Sequence, residues 1–135
     1  MYERLVFLVK AALNIHPKWK VDVSFISSRR IQRLNAMYRK KNKPTDVLSF
    51  SHERNTSAIM KNPPEGQPLL GEIYLCKAVI KRFCLMKKVS MQKRIQELII
   101  HGLCHLNGFD HEKFSDFIVM KRTELELARF IRTIK

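Results

Sequence analysis

Apolar residues fall at Leu5, Leu8, Val9, Ala12 and Leu13, the three-then-four spacing that keeps side chains on one face of a helix, and Pro17 closes that stretch. The period then changes. Val21, Val23 and Phe25 alternate with Asp22 and Ser24, which predicts a half-buried strand over 21–26. A second helix follows, capped by Ser27 or Ser28, with Ile31, Leu34 and Tyr38 expected inward and Arg29, Arg30 and Arg33 outward. It runs out in the cationic turn Arg39-Lys40-Lys41-Asn42-Lys43-Pro44. Residues 45–50 then predict a short strand, expected at the centre of the sheet.

Residues 53–70 hold Asn, Ser, Pro and Gly with little periodicity and predict a long loop. A third strand is expected over 71–76, then a helix over 77–88 with Val79, Ile80, Phe83 and Cys84 inward. Ser90 can cap a further helix whose buried stripe is Ile95, Leu98, Ile99, Leu103 and Leu106. Phe117, Met120, Leu127, Ile131 and Ile134 recur at helical spacing and predict a closing helix. The fold class is therefore α+β: a small mixed sheet of three to four strands surrounded by about five helices, in one domain spanning 1–135.

The helix after Ser90 carries more than a packing stripe. His101 and His105 are four apart, so their imidazoles project from one face at a separation that a single metal ion can bridge. Gly108 suits the helix end, and the returning chain can bring His111 in from another direction. Three histidines leave a tetrahedral ion one open position, the arrangement of a catalytic zinc site. The spacing matches the metzincin signature, but Gly102 stands where a metalloprotease has its general-base glutamate, which argues against peptide hydrolysis by that route. Zn²⁺ is the expected cofactor, one ion, although nickel or copper would take similar ligands. Glu97, one turn before His101, could accept a hydrogen bond from a ligand imidazole.

Charge narrows the partner. The chain of 135 residues has 26 Lys plus Arg against 12 Asp plus Glu, a net charge of +14, which fits a polyanion, with nucleic acid ahead of an anionic membrane surface. Three cysteines without a Cys-x-x-Cys pair suit reduced thiols, no disulfide-linked partner and a cytoplasmic protein. Cys104 is expected as a small buried hydrophobe rather than a fourth ligand, and His16 and His52 as surface or packing residues. No apolar run approaches membrane-spanning length.

Three segments together resemble the YbeY-type endoribonuclease family. They are Asn35-Ala36-Met37-Tyr38-Arg39 leading into Lys43-Pro44-Thr45-Asp46-Val47-Leu48-Ser49-Phe50, then Gly71-Glu72-Ile73, then His101 to His111, with Met120 and Glu124 beyond. The family's His-Gly-x-x-His-Leu-x-Gly-x-Asp-His pattern is met at every stated position. Two features depart from it: residues 2–13 read as helix where relatives begin with a strand, and Ser51 replaces a common proline. The resemblance implies a metal-dependent endoribonuclease acting on single-stranded RNA, in small-subunit ribosomal RNA maturation and ribosome quality control. It implies Arg39 as the active-site arginine beside His101, His105 and His111, and ribosomal RNA with small-subunit proteins as partners. Two other readings remain: a zinc hydrolase of peptide or amide bonds, and a non-catalytic ribosome-binding module with a structural metal.

Overall fold

The computed structural model describes residues 2–52, 63–107, 121–122 and 124–129. Seven elements follow in order: α1 (Glu3–Ala12), β1 (Lys20–Phe25), α2 (Ser28–Arg39), β2 (Val47–Ser51), β3 (Leu69–Leu75), α3 (Lys77–Lys87) and α4 (Met91–Leu106). Residues 121–122 and 124–129 are also helical, giving a fifth helix. The expected closing residues Phe117, Met120, Ile131 and Ile134 lie outside the described residues.

Among the described residues the sheet has three strands in the order β1-β3-β2, with β1 parallel and β2 antiparallel to β3. The expectation that residues 45–50 form a central strand is corrected: β2 is an edge. β3 takes the centre because Leu70, Ile73 and Leu75 are fully buried along it, whereas β2 buries only Leu48. Register decides which groups β2 leaves outward. Cys76 donates its N–H to the Asp46 carbonyl at 3.0 Å and His52 donates to the Leu70 carbonyl at 2.9 Å. Even-numbered residues of β2 therefore bond to β3, and Val47 and Ser49 turn their N–H and C=O groups away from it.

One face of the sheet carries Gly71, Ile73 and Leu75 against α4. Contact there is close: a Cβ on Gly71 would collide with the Phe50 carbonyl and stand 2.5 Å from Leu106 Cδ2. A Cβ on Gly102 would stand 2.9 Å from Ile73 Cδ1 and 3.1 Å from its Cγ1. All five residues of the expected α4 stripe are buried, and α1 and α3 add Val9 and Ile80 to the same cluster. Ser90 caps α4 by accepting from the Lys93 N–H at 3.1 Å.

The opposite face is covered chiefly by α2, through a small cluster of Ile31, Leu48 and Cys76 flanked by half-buried Leu34, Phe50 and Tyr74, with Val79 of α3 packed at its margin. Ser27 caps α2, as expected, accepting from Arg30 N–H at 3.1 Å. Tyr38 does not turn inward: it is 62 % exposed, and Asn35, at 3 %, is the buried residue of the last turns. In the last turn of α2, Tyr38 packs edge-to-face with Phe50 of the edge strand β2, a contact that leaves most of its ring in solvent.

Candidate active site

His101 and His105 lie on consecutive turns of α4, and their ring centroids are 4.7 Å apart. The sixteen-residue helix fixes that pairing, because its apolar stripe is locked against β3 and leaves the two imidazoles on the adjoining face. Both line a cleft of about 260 Å³ whose other walls include Arg39, Lys41, Lys43, Thr45 and Ser49. Among its described lining residues no side chain is a carboxylate, and the fixed charges it presents, Arg39, Lys41 and Lys43, are all positive. Val47 and Ser49 also line it, which brings the outward groups of β2 to the histidines.

Its basic rim is held in place. Asn35 donates from Nδ2 to the Lys43 carbonyl at 2.9 Å, and its own carbonyl accepts the Lys41 N–H at 3.2 Å. Gln32 Nε2 reaches Asn42 Oδ1 at 3.2 Å. At the start of β2, Asp46 Oδ2 accepts from Arg94 of α4 at 3.0 Å, tying the turn to the histidine helix. Arg39 and the lysines can then be exposed without being loosely placed. Asn35 and Asp46 stand in the segments that carry the family resemblance, but sequence reasoning gave them no role; a polar residue four after Ile31 on an inward face was the available signal for the first.

His101 separates this cleft from a second recess of about 490 Å³, lined by Asp46, Arg94, Glu97 and Glu124. Glu124 Oε1 is 2.6 Å from His101 Nδ1. An ionised carboxylate can only accept, so Nδ1 carries a proton, and in the neutral ring Nε2 is then the nitrogen left to bind a cation. The expected role of Glu97 is thereby corrected: its carboxylate takes Arg94 at 3.3 Å, and Glu124 is the acid on the imidazole. The two are 23 positions apart in the chain, so only the fold brings them together.

Cys104 is 0 % exposed in the main core cluster. Burial, with the Glu124 charge adding to it, pushes its thiol up to about 12, which disfavours the thiolate that a metal would need. His52 lies 3.6 Å from Glu72 and does not line the cleft. His111, the expected third ligand, lies outside the described residues, and no cluster of three metal-ligating side chains forms among the described ones. The donors present suit the ion nonetheless: two adjacent imidazoles, one already oriented by a carboxylate, are the setting in which Zn²⁺ and its neighbours bind.

These features define a class: an α+β protein presenting paired imidazoles on a cation-lined cleft. The family model described as Endoribonuclease YbeY matches residues 1–132, and the chain belongs to that family. It is 32% identical over 120 residues to Endoribonuclease YbeY of Lactobacillus gasseri, covering 86% of this chain and 69% of that protein. With the Staphylococcus epidermidis relative of the same name it shares 33% over 114 residues, covering 84% and 74%. The chain spans 66% and 64% of the relatives from Lactobacillus helveticus and Lactobacillus acidophilus. A Thermotoga maritima protein solved in solution superposes with a TM-score of 0.59 at 25% identity, over 98% of this chain and 84% of that one. The relatives are named endoribonucleases, hydrolases of RNA phosphodiester bonds, and membership supports an endoribonuclease role here. No helix among the described residues is long and apolar enough to cross a membrane.

Proposed function

We propose that this chain is a metal-dependent endoribonuclease that cleaves single-stranded RNA, with one Zn²⁺ held by His101, His105 and His111. In the cell it acts in the cytoplasm on small-subunit ribosomal RNA, in maturation and in ribosome quality control, alongside small-subunit proteins. The observation that carries this reading is the imidazole pair, 4.7 Å between centroids, opening on a cleft whose charged walls are Arg39, Lys41 and Lys43.

When bound, Zn²⁺ would supply Lewis acidity toward a phosphoryl oxygen. Arg39 offers a planar fork of donors to the same phosphate and neutralises charge as it builds there. Lys41 and Lys43 hold flanking phosphates, and the outward amide of Ser49 adds a neutral donor. Glu124 keeps the His101 ring in one tautomer and one orientation. Peptide hydrolysis is less well supported, because Gly102, packed against Ile73, carries no carboxylate to serve as general base beside His101.

Elemental analysis of purified protein, paired with a ribonuclease assay on His105→Ala, tests the reading. One zinc per chain, with metal and cleavage both lost in the variant, is expected. Full cleavage by metal-free protein or by the variant would sink it.

A further inference from the structure

Tyr38 is the residue of α2 that the fold leaves over. It is 62 % exposed, yet its ring is braced edge-to-face by Phe50 at 5.1 Å and 65°, and Phe50 is braced in turn by Tyr74 at 5.9 Å. A solvated tyrosine usually has no such backing. Its chain neighbour Arg39 lines the cationic cleft, as does Ser49 beside Phe50 in β2, so the ring, itself outside the cleft lining, stands next to the cleft on the α2 face of the sheet. Exposed Arg39 follows Tyr38 in the chain, and Arg30 sits 5.9 Å over the Tyr74 ring at the other end of the aromatic row, so cations flank the row at both ends.

The geometry points to Tyr38 as a stacking platform for an unpaired base of the RNA whose backbone enters the cleft. The inference rests on the single-strand reading above and gives it a cause. A base locked in a duplex is already stacked and cannot be laid on a side chain, whereas a base in a single strand gains that contact whatever its identity. The Phe50 contact limits the ring's freedom beforehand, so less ordering is lost when a base arrives than on an unbacked side chain. The neighbouring cations hold phosphates on either side, and the aromatic ring supplies what phosphates alone do not: discrimination between a strand with accessible bases and a bare polyanion.

Fluorescence anisotropy on the whole chain separates the two contributions. The probes are a short 2′-O-methyl oligoadenylate and a sugar-phosphate chain of equal length without bases. Wild type is expected to prefer the oligoadenylate, Tyr38→Leu to lose about fivefold or more of that affinity, and both to bind the abasic chain equally. Tyr38→Phe, which keeps the stacking ring, restores wild-type binding. Equal loss on both probes, or no loss on either, overturns the stacking role while leaving the nuclease reading in place. If wild type binds neither probe, the single-strand reading itself fails and this inference falls with it.

Discussion

Between β3 and α4, Ile73, Leu75, Ile99 and Leu103 are all fully buried, while across the sheet, under α2, Phe50 and Tyr74 stay half-exposed beside Arg30, Asp22 and Glu72. The first layer is dry and apolar, with glycines at its two closest approaches. The second is thin, aromatic and charged. Stability and recognition have been assigned to opposite sides of one three-stranded sheet, and the histidines open where the two sides meet, along β2. The division explains how a chain with so many exposed cations stays folded: little of its packing depends on them.

The comparison breaks most readily at its dry side. Ile73→Ala should cost about 2–5 kcal/mol, because it empties volume that α4 cannot refill. Tyr74→Phe on the other face should cost only about 1 kcal/mol, the value of a hydroxyl bond to Glu72 at 2.7 Å. Urea denaturation of both variants checks this, and equal losses would mean the faces share the load. Glu124→Gln comes next: metal affinity should fall about 10- to 100-fold with the melting temperature nearly unchanged, read by titration against a competing chelator.

Smaller effects sharpen the charged side. Arg29→Ala with Arg33→Ala should shift stability by no more than about 0.5 kcal/mol. The salt dependence of single-strand binding should flatten by about 0.7 in log–log slope for each phosphate that the variant no longer neutralises. The smallest effect concerns Lys10, a cation within the dry layer. Its Nζ donates to the Trp19 carbonyl at 2.8 Å and the Pro17 carbonyl at 3.2 Å, and burial lowers its pKa below the ordinary 10.5. Between those two values the unfolded chain binds more protons than the folded one, so stability from this group rises with pH. The stability of wild type relative to Lys10→Met should therefore increase as pH climbs toward 10.5, and a difference that stays flat would show that the ammonium is not penalised.

Where one period ran unopposed, the sequence was readable: every expected inward position of α4 is buried, and Ser27 and Ser90 cap the helices they were expected to cap. Reading failed where the outcome depends on what an element meets. Tyr38 continues the stripe of Ile31 and Leu34, but what it meets is the half-exposed Phe50 on the sheet's edge strand, too little to bury it. The apolar run of β2 resembles a central strand locally, and only the crossovers make it an edge. The histidine pair and the cationic turn were legible as spacing and charge. Glu124 was noted for its place in the family pattern, but its bond to His101 requires a chain return that no local pattern records.

The outer rim of β2 has a consequence beyond the cleft. Five residues long and paired on one side only among the described strands, it offers outward amides and carbonyls on which a neighbouring molecule could template a further strand. Arg39, Lys41 and Lys43 crowd the same rim. Two copies brought edge to edge would press these like charges together, a repulsion that opposes pairing of this strand with its own kind.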